Sequence, residues 1–255
     1  TSMSDIMRML DTHGSEIALI LIGGVNYYTG QAFDMAAITD KAQNYGCRVG
    51  FDLAHAAGNL KMQLHNWGVD FAAWCGYKYL NGGPGAPSTI FIHERHLGRK
   101  DIPRLEGWWG QDKSSRFQMP NTFKPLKTAE AWQLSNPPIL SMAPLLASLE
   151  IFHEVGMTQL RDQSTMLTGY LESLLLSAMK DKITIITPIA EQSRGCQLSI
   201  RLNKPIDNIV DMLQNRGVIC DWRSPDIIRV SPVPLYNSFE DCYKFVHILK
   251  EILNG

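Results

Sequence analysis

The sequence predicts an α/β protein with a mainly parallel sheet in its first half and a smaller α+β domain at its C-terminal end. Three observations carry this. Between residues 16 and 93, apolar runs of strand length are separated by a helical segment and end on Gly, Asp or turn residues. After Asn136 the pattern changes to long apolar stretches at helical spacing. Beyond residue 180, short strands and helices alternate. At 255 residues and 45% hydrophobic, the chain can bury a sizeable core.

The elements follow in order. Residues 1–5 form neither a basic nor an apolar leader, and Ile6, Met7, Met9 and Leu10 read as the tail of a helix, so the chain is expected to begin inside a domain. Residues 16–22 form a buried strand stopped by Gly23 and Gly24. Asp34 caps a helix running to about Tyr45, and Gly46 ends it. Strands follow at 47–51, 69–74 and 87–93. Pro137 and Pro138 open a helix through Phe152. Gly156 separates it from a second, over 157–180, with Leu160, Leu167, Tyr170, Leu171 and Leu174 near helical spacing. Four more strands are expected at 183–186, 197–202, 218–221 and 227–230, with a helix at 206–215. A last helix starts at Ser238, where Ser238 and Asp241 make a capping box. The implied organisation is 1–136 for the sheet domain, 137–180 for connecting helices and 181–255 for the small domain.

Charge excludes some partners. Lys and Arg number 24 against 25 acidic residues, a formal net charge of −1, so no basic groove for nucleic acid or anionic membrane is expected. A small, nearly neutral metabolite suits this surface better. No stretch is apolar for long enough to span a bilayer, because Pro144, Glu150 and His153 interrupt the best candidate. The five cysteines are odd in number and lack CxxC spacing, which supports neither zinc nor a disulfide framework. Cys75, Cys196 and Cys220 lie in apolar runs, as thiols do in a reducing, cytosolic protein. His93 and His96 lack HExxH spacing and a third ligand, so they read as a solvated strand exit, with no metal site. His65 and Trp67 read as packing residues. The Gly82–Gly85 run, without a P-loop Lys-Ser/Thr, reads as a turn.

Two clusters carry chemistry. Asp52 leaves the C-terminal end of a buried strand with His55 three positions on, and ligands of open α/β sheets bind beyond such strand ends. By itself Asp52 reads equally well as a turn cap. Lys78 follows the next strand among aromatics and ahead of the Gly-rich turn, where a desolvated amine can form a Schiff base. Alone it reads as a solvated strand-end lysine. Together the two match what pyridoxal 5'-phosphate needs. A carboxylate keeps the pyridine nitrogen protonated, and an amine holds the aldehyde as an imine.

These segments, FDLAHA and WGVDFAAWCGYKYLNGGPG, resemble fold-type I pyridoxal-phosphate enzymes of the aminotransferase class V branch. Residues 28–31 (YTGQ), 107–110 (GWWG), 115–117 (SRF), 134–140 (LSNPPIL) and 228–238 (IRVSPVPLYNS) narrow the resemblance to the kynureninase family. The resemblance implies a fold-type I large-domain portion plus a small C-terminal domain, and pyridoxal phosphate as cofactor. It implies hydrolysis of L-kynurenine or 3-hydroxy-L-kynurenine to anthranilate or 3-hydroxyanthranilate and L-alanine, in tryptophan catabolism and NAD biosynthesis. It further implies a homodimer that takes a small amino-acid substrate.

Residue by residue, the resemblance makes Lys78 the Schiff-base lysine and proton shuttle, and pairs Asp52 with the pyridinium nitrogen, with His55 beside it. Tyr28 and Tyr77 are expected at the phosphate and the imine, Trp108 and Asn136 along cofactor and substrate, and Arg229 at the substrate α-carboxylate. Arg229 suits that role physically, since a guanidinium reads a carboxylate bidentately. Asn136, before two prolines, is also a good helix cap. Three positions depart from the family pattern: Gly23 and Gly76 replace hydroxyl residues, and Gln111 replaces a histidine. The family's N-terminal segment, with the rest of the phosphate loop and a ring-stacking aromatic, has no counterpart here, so exposed sheet edges are expected. The alternatives are a related lyase such as a cysteine desulfurase, a non-catalytic scaffold, or a plain binding module for aromatic amino acids. The desulfurase needs a mobile catalytic cysteine, and no loop offers one.

Overall fold

The computed structural model describes residues 1–254, which fold as two compact units. Residues 1–23, 34–54 and 62–150 make the first, and residues 24–33, 55–61 and Ile151 onward the second.

The first unit is built on a four-stranded sheet. Its strands β1 (Leu19–Gly23), β2 (Arg48–Asp52), β3 (Phe71–Cys75) and β4 (Ser88–Ile92) lie in that order. β1, β2 and β3 are parallel, and β4 returns antiparallel to β3, so the sheet is mainly parallel. Helix α1 (Met3–His13) is set by a Ser2–Asp5 capping box, and α2 (Met35–Asn44) by Asp34, whose carboxylate accepts from the Ala37 N–H at 3.0 Å. Gly46, at φ +80°, ends α2 as expected. Val49 and Phe51 of β2, Ile38 and Ala42 of α2, and Leu53 are completely buried. β1 begins later than its apolar run suggests, because residues 14–16 close a 3₁₀ turn in which the Ile17 N–H reaches the Gly14 carbonyl. β1 ends the strand order, and its Leu19 and Leu21, on one face of the sheet, are exposed.

Helix α3 (Ile139–Val155) starts at Ile139, which puts the cap position on Pro138 and not on Asn136. The Pro138 carbonyl accepts from Met142 N–H at 3.2 Å. Gly156, at φ +81°, ends it.

The second unit stacks two helices on a four-stranded antiparallel sheet. Helix α4 (Met157–Met179) places Leu167, Leu171 and Leu175 four residues apart on one buried stripe. Against it pack β5 (Ile183–Ile185), β6 (Leu198–Leu202), β7 (Asp221–Arg223), β8 (Ile227–Val230), a short α5 (Ile209–Gln214) and α6 (Phe239–Asn254), with sheet order β5-β6-β8-β7. The Ser238–Asp241 capping box is present. Leu198, Ile200 and Leu202 alternate inward from β6 to meet Ile228 and the α6 residues Phe245, Val246, Leu249 and Ile252. β7 pairs over 221–223 and not over 218–221, because the Val218 N–H turns back to the Leu213 carbonyl and closes α5.

Candidate active site

In the first unit the chemistry sits at the carboxyl ends of neighbouring parallel strands. Asp52 is the last residue of β2, opposite Ala73 of β3, and Lys78 follows β3 by three residues. Asp52 is exposed, and its Oδ1 accepts from the Ala54 N–H at 2.8 Å. The turn-cap reading of Asp52 is therefore realised, and a carboxylate fixed by its own backbone is also a pre-aimed acceptor.

The Lys78 turn is rigid for steric reasons. Its chain reverses from β3 into β4 between Cys75 and Ser88, which are register partners. Asn81 N–H donates to the Lys78 carbonyl at 2.9 Å, and Gly82 N–H to the Gly76 carbonyl at 2.9 Å. A Cβ on Gly76 would lie 2.7 Å from the Pro87 carbonyl, so the family's serine cannot stand here without backbone movement. The Ser148 hydroxyl of α3 donates to the Leu80 carbonyl at 2.7 Å, and Leu145 fills the space against Gly76 and Gly82. Tyr77 is exposed beside Cys75, whose proximity pushes the phenol pKa up.

Trp108 and Asn136 belong to a second part of this unit. Residues 107–110 lie on residues 131–134, where Gly107 faces Leu134 and Gly110 faces Ala131 so closely that neither can carry a side chain. Trp108 is half-exposed and meets Trp109 and Phe117 edge-on, at 5.4 and 5.7 Å between ring centres. The buried Arg116 guanidinium lies 4.3 Å from the Trp109 ring centre and donates to the Trp109 carbonyl. Gln111 is buried, donating to Ser115 Oγ at 2.8 Å and accepting from Lys124 N–H at 2.8 Å. It staples this loop. Asn136 is exposed and accepts from Ser135 Oγ at 3.3 Å.

His93 and His96 are buried, contrary to the solvated exit expected for them. His93 stacks on His65 at 4.8 Å, and His96 Nε2 lies 2.6 Å from the buried Asp70 carboxylate. Asp70 also takes the Val49 N–H at 2.8 Å and the Arg95 guanidinium at 2.7 Å. This knot ties the amino end of β3 to the exit of β4, at the ends of the strands opposite to Asp52 and Lys78.

The second unit carries Tyr28, His55 and Arg229. The Tyr28 backbone is held on both sides. Its N–H donates to Asn26 Oδ1 at 2.9 Å, and its carbonyl accepts from Ser199 Oγ at 2.6 Å. The Tyr27 carbonyl accepts from Gln197 Nε2 at 3.1 Å and from the Arg229 guanidinium. Ser199 and Arg229 are register partners on β6 and β8, so one sheet face presents Gln197, Ser199 and Arg229 to residues 27–28. The half-buried His55 lies in a turn clamped by Asn59, which donates from Nδ2 to the His55 carbonyl and accepts the Cys196 N–H, both at 2.9 Å.

Sequence reasoning missed Asn59, Gln197 and Ser199. The signal for the last two was available, as polar residues alternating with Leu198 and Ile200 on a strand have to face something polar.

Residues 160–249 match the family model for the kynureninase C-terminal domain. Kynureninase of Myxococcus xanthus is 56% identical over 246 residues, covering 96% of this chain and 58% of the relative, and that of Koribacter versatilis is 54% identical, covering 98% and 59%. The chain belongs to the kynureninase family. It spans just under three-fifths of the length of these curated kynureninases. Among solved structures it is similar to a cysteine desulfurase from Thermococcus onnurineus at TM-score 0.79 and 17% identity, covering all of this chain and 63% of that one. It is also similar to a cystine C–S lyase with glycine covalently linked to its pyridoxal phosphate, at TM-score 0.77 and 20% identity, covering 96% and 63%. At such identities these likenesses show the fold, the one shared by fold-type I pyridoxal-phosphate enzymes. The kynureninase sequences, not the fold, tell this chain from the desulfurases.

Proposed function

We propose that the protein to which this chain belongs is a pyridoxal-phosphate hydrolase that cleaves the Cβ–Cγ bond of L-kynurenine or its 3-hydroxy form. One water is consumed, and anthranilate or 3-hydroxyanthranilate leaves with L-alanine. The observation that carries the reading is Asp52 and Lys78 at the carboxyl ends of adjacent parallel strands, in a chain 56% identical to a kynureninase.

These residues fit the cofactor. Asp52 is exposed with its carboxylate oriented, and Lys78 stands on a turn packed too tightly to drift. When bound, pyridoxal phosphate supplies an electron sink conjugated to the substrate's α-carbon. Asp52 would hold the proton on the ring nitrogen by charge and hydrogen bond. Lys78 would hold the aldehyde, and its Nζ would move the proton at the substrate's α-carbon. Tyr28, whose backbone is fixed by Asn26 and Ser199, would offer its phenol to the phosphate, and His55 would stand by the ring. Tyr77, Trp108 and Asn136 border cofactor and substrate. Arg229 binds the substrate α-carboxylate and so selects which α-carbon bond lies in line for cleavage.

Exposed Ile139, Leu140 and Leu146 on α3 support a homodimer, and five free cysteines support a reducing, cytosolic compartment. The test is an absorbance titration with pyridoxal phosphate before and after borohydride, followed by peptide mapping. A yellow band fixed onto Lys78, with kynurenine turnover that Lys78→Ala abolishes, is the expected result. A band fixed onto another lysine overturns the site assignment, and a folded protein that takes up no cofactor overturns the enzyme reading.

A further inference from the structure

β7 and β8 run antiparallel with Asp221 directly opposite Arg229. Arg229 donates from Nη2 to Asp221 Oδ2, and its side chain is only 10% exposed. The other carboxylate oxygen is taken as well, because Arg223 Nη1 donates to Asp221 Oδ1 at 2.9 Å. On its second terminal nitrogen, Arg229 donates to the Tyr27 carbonyl.

Two consequences follow. A planar guanidinium tied at two separate nitrogens has its plane fixed before any ligand arrives, and a pre-set fork loses little freedom on binding a carboxylate. The charge balance matters equally. Asp221 alone would cancel Arg229 and leave a neutral pair, a poor receptor for an anion. With Arg223 as counter-ion to Asp221, the three side chains together carry one net positive charge.

We propose that Asp221 is a positioning residue for Arg229, with Arg223 as its counter-ion, and that this pair of side chains sets the affinity for the substrate α-carboxylate. The proposal rests on the reading in which Arg229 binds that carboxylate. Asp221 touches no substrate; it acts through the guanidinium.

The experiment uses the full-length enzyme loaded with pyridoxal phosphate, carrying Asp221→Asn, Asp221→Glu, Arg223→Gln or Arg229→Gln. Steady-state kinetics give KM and kcat, and calorimetric titration with L-alanine gives a binding constant without turnover. Asp221→Asn is expected to raise KM and weaken L-alanine about tenfold, the scale of one charge-assisted hydrogen bond, because losing the fixed guanidinium plane outweighs the positive charge gained, with kcat changed less than about twofold. Asp221→Glu restores most of the affinity. Arg223→Gln weakens binding in the same sense, because Asp221 then neutralises Arg229.

A purely structural role would lower thermal stability or cofactor content and leave KM and the L-alanine constant alone; that result overturns the proposal. If Asp221→Asn fails to fold by circular dichroism, Asp221→Glu and Arg223→Gln decide, and a wild-type L-alanine constant for Arg223→Gln overturns it. If Arg229→Gln raises KM while Asp221→Asn and Arg223→Gln do not, the positioning role falls and the carboxylate reading stands. If Arg229→Gln itself leaves KM and L-alanine binding unchanged, the underlying reading falls too.

Discussion

Asn59→Ala separates a structural clamp from a bystander. Asn59 is 5% exposed and makes two hydrogen bonds at 2.9 Å, accepting the Cys196 N–H and donating to the His55 carbonyl. Cys196 is 1% exposed, so its N–H has no water to turn to; an orphaned buried donor costs about 1–3 kcal/mol. His55 is half-buried and its carbonyl is partly rescued by solvent, which adds about 0.5–1 kcal/mol. A Cβ on Gly195 would fall within 2.2–2.7 Å of the Asn59 amide, so the backbone rests on that amide and a gap opens when it goes. The total is about 1.5–4 kcal/mol, a large part of a typical domain's stability. Chemical denaturation followed by circular dichroism measures the loss, and hydrogen exchange at the Cys196 amide locates it. Asn66→Ala, at an exposed position, is the control and is expected within about 0.5 kcal/mol of wild type. A shift that small for Asn59→Ala, or an unchanged Cys196 exchange rate, would refute the reasoning.

Two further outcomes follow from the first unit. Burial raises the Asp70 pKa, but the Val49 N–H, Arg95 and His96 outweigh it and hold the carboxyl below the ordinary carboxylate range. A depressed folded pKa means the stabilisation is present above the unfolded value of about 3.9 and is lost as pH falls through the folded one. Asp70→Asn is therefore expected to cost about 3–5 kcal/mol at neutral pH and to flatten the acid limb of the Tm–pH profile, and an unchanged acid limb would sink the assignment. Gly107→Ala puts a Cβ 2.2 Å from the Leu134 Cα, a backbone atom that cannot rotate away. The expected cost is about 1–3 kcal/mol with an altered near-ultraviolet tryptophan signal, while Gly169→Ala, in an open position on α4, stabilises by about 0.5–1 kcal/mol. Equal effects at the two glycines would rule the steric account out.

Apolar period and turn chemistry were enough to read most of the fold. Strand β8 lies at the residues its apolar run indicates, and Asp34, Gly46 and Ser238 punctuate helices as their side chains dictate. What failed was register where two elements compete for the same residues. Val218 and Ile219 read as strand, yet Val218 closes α5 and Ile219 is 91% exposed. That slip hid the pairing of Asp221 with Arg229, which exists only when β7 starts at Asp221. Asp52 and Lys78 were legible because residue type and strand-end position coincide. Asn59 was not, since its partner Cys196 lies 137 residues away and no local pattern encodes such a distance.

Fold likeness alone would send this chain to the desulfurases, whose overall architecture it shares at TM-score 0.79. The thiols argue the other way. A desulfurase needs a cysteine that reaches substrate as a thiolate. Here Cys47, Cys75, Cys196 and Cys242 are buried, and burial pushes the thiols of Cys220 and Cys242 up to about 11. At neutral pH those two are protonated. Hydrolysis of a carbon–carbon bond asks nothing of a thiol. In the proposed reading it needs a lysine, a carboxylate for the ring nitrogen and a pre-aimed arginine for the substrate's carboxylate; here the Asp52 carboxylate is fixed by the Ala54 N–H, and the Arg229 guanidinium by Asp221 and the Tyr27 carbonyl. The same fold can therefore serve both reactions, and the choice lies in which side chains it makes rigid and which it leaves reachable.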